Sequence, residues 1–437
     1  MAAHGIIDIH HENRTLGDAA GRLFLPGLVL GVAGLAIAAG VGILGGGEHG
    51  PDRFFQAYLV TFMLFMGITL GSLFFVLLHH LTRAGWSAVI RRLAEGLATN
   101  SLWMLLLFAP LLYALLSPDI DLWPWADPAV TDHASPEFDA VIDGKSGYLN
   151  VPFFLIRAGI YFGVWILLSR YFFKLSVQQD TTGDVELSLR MMATSAPGMI
   201  AFALTLTFAA FDWLMSQDPH WFSTIFGVYY FADSVGSFLA VTIILVFFLQ
   251  RSGRLTHAIT TEHYHDLGKL LFAFSIVFWA YIAYSQYMLQ WYGNIPEETA
   301  WWQARGSGHP WPIEYRGETF EPGAWNGWSL FLFFGHFAVP FLAIISRIPK
   351  RRPGWLAVAA AWMLFMVWYD LFWLITPVFW PENPGFNGLP MFPVLEILLL
   401  IGFAGIYVAM FAARMRNVSL VAERDPRLGE SLAFENM

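Results

Sequence analysis

The stretch FDWLMSQDPHWFSTIFGVYYFADS (211–234) sets Asp212, Asp218, His220 and Asp233 around a turn. Apolar runs flank it, at 193–216 and 223–250. As a helix, each is long enough to cross a hydrocarbon core of about 30 Å. Read as a membrane hairpin, the stretch keeps Asp218 and His220 in the turn, where Asp218 before Pro219 reads as turn chemistry. Asp212 and Asp233 fall inside the apolar layer, where a charge needs a partner or a purpose.

The rest of the chain supports the hairpin. It is 57% hydrophobic and 13% charged, with a mean hydropathy of +0.54, whereas soluble domains carry about 25% charged residues. Ten spans are predicted: 23–46, 54–81, 97–117, 151–169, 193–216, 223–250, 270–292, 328–346, 355–376 and 393–413. The fold class is therefore an all-α polytopic membrane protein. A short tail (1–22) precedes the membrane domain (23–413) and another (414–437) follows it. The first apolar run follows Arg14 and Arg22 and lacks the shape of a signal peptide, so it reads as a retained span.

Lys and Arg crowd the two tails and the loops after the even-numbered spans. The other loops carry only Arg53, Lys145, Arg305 and Arg316. By the positive-inside rule both termini are expected in the cytoplasm. The net charge of −9 reflects particular loops, such as the acid-rich 118–150, and does not imply a cationic partner. The basic loops suit anionic lipid contact, and no nucleic acid is implied. The outer loop 293–327, with WWQARGSGHPWP, suits the membrane interface or a partner surface. GSLF (71–74) and GSFL (236–239) lie at similar depths in spans of the same direction; as small residues that permit close helix contact they read as matching packing points, a hint of two related four-helix units, spans 2–5 and 6–9.

Among the ionisable residues within spans six stand out: Arg157, Asp212, Asp233, His336, Asp370 and Glu396. All are expected in the outer half of the membrane, which favours a shared polar cavity that handles protons. Taken singly, Arg157 with one acid reads as an ion pair holding two helices in register, and Glu396 is compatible with the interface. The aromatic setting of Asp370, VWYDLFW (367–373), suits proton exchange. A polar lane leading inward would use Tyr161, Thr205, Thr207, Ser275, Tyr281, Tyr284, Ser285 and Gln286, although such hydroxyls often bond their own helix.

Several chemistries are excluded. With no cysteine, the chain has no thiolate zinc site, no cysteine-ligated iron–sulfur cluster and no c-type haem attachment. Within the spans, His79 and His80 lie near the inner end and His336 in the outer half, so a bis-histidine haem is not expected. His10 and His11 in DIHHEN, and His263 and His265 in EHYHD, resemble metal tracts, but no metal site is assigned, and Asp266 reads as a helix cap. GVGILGGG (40–47) lacks the strand–helix setting of a phosphate loop. No catalytic residue is assigned.

FDWLMSQDPHWFSTIFGVYYF (211–231), HDLGKLLFAFSIVFWAYIAYSQYMLQWYGNIPEET (265–299) and LTRAGWSAVIRRLAE (81–95) resemble a known family. It is the smaller of the two NrfD-like (polysulfide-reductase-type) membrane subunits of bacterial alternative complex III, a quinol:cytochrome c or cupredoxin oxidoreductase. The resemblance runs from about residue 53 to the C-terminus. It implies ten helices arranged as two four-helix bundles and two peripheral helices, in a bacterial inner membrane. The implied partners are a larger paralogous membrane subunit and periplasmic subunits carrying iron–sulfur clusters and haem c. Menaquinol or another quinone would be the substrate, with no redox cofactor held by this chain alone. The expected function is quinol interaction or proton translocation in electron transport. An ion-coupled transporter and a purely structural membrane anchor are the rival expectations.

Overall fold

The computed structural model describes residues 12–306, 313–315, 318–320, 325–379 and 393–436. Among them are ten helices long and apolar enough to cross a membrane, which makes this an all-α multi-pass membrane protein. They are α1 (Asp18–Leu44), α2 (Gly50–Leu81), α3 (Ala88–Leu116), α4 (Val151–Thr182), α5 (Val185–Gln217), α6 (Phe226–Arg251), α7 (Thr261–Gly293), α8 (Asn326–Ile344), α9 (Pro353–Phe379) and α10 (Val394–Met415).

Helix α2 is the central post, buried along nearly all of its length. It packs on α3, α5 and α6, and α6 in turn packs on α9 and α7. The contacts therefore group α2–α5 and α6–α9, with α2 against α6 as the seam. Helices α1 and α10 pair with each other at the periphery. Lipid tails are as apolar as the helices, so close backbone approach does the work that hydrophobic exclusion does in water. At Gly31 and Gly402 a Cβ would run into the backbone or side chains of the opposing helix.

The two GS motifs both mark close contacts, but different ones. Gly71 faces Ser234 of α6 across the seam, while Gly236 faces Ser275 of α7 within one bundle. They are not equivalent points of a repeat.

The ends of α3 and α7 correct the sequence reading. Helix α3 begins at Ala88 rather than near 97 because its charges are buried with partners. Arg92 bonds Glu95 (3.0 Å), Asp180 (2.7 Å) and the Ser176 carbonyl (3.0 Å), and Arg91 pairs with Asp425. Helix α7 begins at Thr261, and Thr260 caps it by accepting from the Glu262 N–H while His263 Nδ1 accepts from the Thr260 N–H. Asp266 is not the cap; it lies inside the helix, paired with Lys269.

The termini share one end of the molecule: Thr15 bridges Ser419, and the Leu420 N–H donates to the Arg14 carbonyl at 2.7 Å. At the opposite end, loop 117–150 folds down through Trp125, which donates to Ser216 at 3.0 Å. A helix, Pro296–Ala304, and a hairpin of Ile313–Tyr315 with Glu318–Phe320 follow α7.

Candidate functional site

Asp233, His336 and Asp370 come together from α6, α8 and α9. One ligand atom from each lies within 4.8 Å of the others, and all three side chains are buried. Helix geometry explains the convergence. Tyr229 and Asp233 lie four residues apart and so share a face of α6. His336 sits in a π-helical segment, Phe333–Ala338, and Ser275 in another, Phe272–Phe278, that ends at Trp279. Such wide turns re-aim side chains and recur at functional sites.

Both oxygens of Asp370 are engaged, accepting from the Tyr229 hydroxyl and the Trp279 indole N–H, each at 2.8 Å. The His336 ring stacks on Trp279 at 3.9 Å, with 7° between planes. In contrast, Asp233 meets no polar side chain but the Asp370 carboxyl, for hydrogen bonding His336 nears only the Ser275 backbone, and the Ser275 hydroxyl is buried without a hydrogen-bond partner. Unsatisfied buried polar groups call for an explanation. Two adjacent buried carboxylates are costly when both are charged, so the group is suited to holding protons shared among three sites. It is also the one cluster among the described residues with metal-like convergence, in a chain for which no metal was expected.

The two donors to Asp370 border a cavity. Between α7, α8 and the helix Pro296–Ala304 lies a largely apolar space of about 700 Å³, partly open to the outside of the bundle. Tyr229 and Trp279, the two donors to Asp370, form part of its wall, with Phe333 and Phe337 opposite. Arg305 lines its upper part, held by the carbonyls of Trp301 (2.9 Å), Trp373 (3.3 Å) and Leu374 (2.8 Å). The Trp373 carbonyl is available because Pro377, four residues on, has no N–H to offer it.

No known protein-family model and no curated protein matches this chain.

The other expected site residues divide differently. Asp212 accepts from Arg157 at 2.8 and 2.9 Å and from the Tyr161 hydroxyl at 2.7 Å, and Arg157 also donates to the Tyr148 carbonyl. Glu396 pairs with Arg53 across α10 and α2, both buried. Of the six ionisable residues, three form the triad, Arg157 and Asp212 form an ion pair, and Glu396 pairs with Arg53 from outside the set, so they do not share one cavity. Of the lane residues, Thr205 bonds Trp165 and its own helix, and Thr207 packs on Gly227. Tyr281 and Tyr284 face outward at the cavity. Ser285 is half-buried, and Gln286 is buried with its amide atoms unpartnered. No continuous lane joins them. His220 bonds Asp139 at 2.7 Å in the loop, and His10 and His11 lie outside the described residues.

Sequence reasoning missed Arg53, Tyr229, Trp279 and Arg305. The spacing of Tyr229 and Asp233 was a usable signal. Arg53 sat at the edge of an apolar run and read as loop.

Proposed function

We propose that the chain is a membrane subunit of a quinol-oxidising electron-transfer complex in a bacterial inner membrane. Its part is to hold the quinol headgroup and take up its protons. The observation that carries this reading is the contact between a large apolar cavity and a buried acid through Tyr229 and Trp279. Apolar walls with a few convergent polar groups suit an aromatic headgroup on a lipid tail. The sequence resemblance to the smaller NrfD-like subunit of alternative complex III supports the same reading.

Oxidation of a hydroquinone to a quinone releases two protons and two electrons. Without cysteine ligands, this chain would pass the electrons to iron–sulfur and haem c groups on partner subunits, next to a larger paralogous membrane subunit. The protons would go to the triad. A headgroup hydroxyl beside Tyr229 can give its proton to the phenol oxygen as the phenol proton moves to Asp370. Asp233 and His336, within reach of Asp370, provide the next acceptors.

The test is quinol:cytochrome c reduction by the intact complex carrying Asp370→Asn or Tyr229→Phe. Loss of a positioned proton acceptor is expected to lower turnover by about 10²-fold or more, with complex assembly unchanged. Wild-type turnover in both variants would sink the proposal.

A further inference from the structure

A second cavity lies at the end of the molecule that carries the termini, away from the triad. It has about 260 Å³ of space, between the last turn of α2, the first turns of α5 and the segment 425–427. One side carries the three cations Arg83, Arg91 and Arg427, of which Arg91 is paired with Asp425 and Arg427 with Glu430. The other side is apolar, with Val185 and Leu189 exposed on the outer face of α5.

Two features suggest that the cationic side is built to hold an anion. His80 Nε2 and Arg91 Nε line or border this space without a hydrogen-bond partner, in side chains only 6% and 4% exposed. Glu95 lies 3.9 and 3.8 Å from them, beyond hydrogen-bond reach. Arg83 is held at φ 52°, the left-handed region that favours glycine. Its Nε points at the Met192 sulfur, 2.7 Å away, a weak acceptor for a guanidinium.

We infer that this cleft binds the phosphodiester headgroup of an anionic phospholipid, in the leaflet at the end where the termini lie. The guanidinium of Arg83 meets the phosphate, with Arg427, steadied by Glu430, beside it, and the acyl chains run along Val185 and Leu189. The position suits a lipid, because the cationic wall stands at helix ends while the apolar wall continues onto the lipid-facing surface. Basic pockets between membrane helices recognise headgroups in this way. A free phosphate would use the cationic wall alone.

The test is native mass spectrometry of the full chain released from phosphatidylcholine nanodiscs doped with phosphatidylglycerol. The wild-type chain should retain phosphatidylglycerol in preference to phosphatidylcholine. Arg83→Gln and Arg427→Gln should each weaken retention roughly fivefold, as expected for about 1 kcal/mol per basic residue. Arg190→Gln is the control, an exposed arginine of α5 paired with Glu186 outside the cleft. It should retain the lipid as the wild type does. Equal retention by all the variants would overturn the assignment, as would an equal loss in Arg190→Gln. So would displacement of the lipid by millimolar inorganic phosphate, which would mark a free-anion site.

Discussion

Asp212 accepts three hydrogen bonds, two from Arg157 and one from Tyr161, whereas Asp233 meets no polar side chain but the Asp370 carboxyl. Two aspartates of similar depth are thus set to different tasks. A bidentate arginine fixes a carboxylate in position and orientation, which suits the joining of α4 to α5. Arg157→Met should strand Asp212 and cost about 3–5 kcal/mol, read as a fall in thermal melting of the detergent-solubilised chain. Adding Asp212→Leu should restore most of the loss. Recovery of stability with normal quinol turnover would confirm that this pair is architectural. The sequence could place both aspartates in the membrane, because a charge within an apolar run is visible in one dimension. It could not pair them, because Arg157 meets Asp212 and Tyr229 meets Asp370 only through helix packing.

The helices themselves were legible to differing degrees. All ten follow from apolar runs, but hydropathy ends a helix at its first charges, and α3 continues through Arg91, Arg92 and Glu95 because Asp425 pairs with Arg91 while Glu95 and Asp180 pair with Arg92. The π segments of α7 and α8 left no sequence signal, yet they lie around Ser275 and His336. The α1–α10 contact rests on glycines that periodicity analysis treats only as small residues. Gly402→Leu should force these helices apart and cost about 1–3 kcal/mol, as overpacked sites do. The measurement is thermal melting, and quinol turnover should be unchanged in the same variant, since α1 and α10 contribute none of the triad's residues.

At the scale of the molecule, the two ends carry different chemistry. Loop 117–150 is pinned over the far end by Asp139, whose carboxylate meets His220. Burial pushes the Asp139 carboxyl up, but the N–H groups of Ile142 and Val141 together with His220 outweigh this and hold it below the usual carboxylate value of 3.8. With a depressed folded value, its contribution to stability is complete above the ordinary value and is lost as pH falls through the depressed one. His220→Gln should therefore flatten the acid side of the melting profile below about pH 4 and leave the neutral side nearly unchanged. An acid limb identical to the wild type would rule the pin out.

The pairing of α1 with α10 has a consequence for how the chain is made. Synthesis delivers helices in order from the N-terminus, so α1 enters the bilayer long before its partner α10 emerges. Until then its glycine-lined face meets only lipid or an insertion chaperone. The pair closes like a clasp, α10 docking on α1 as Thr15 and Ser419 come side by side. A ribosome that stalls before α10 would release a protein whose buried triad is complete but whose clasp is open, a natural mark for membrane quality control.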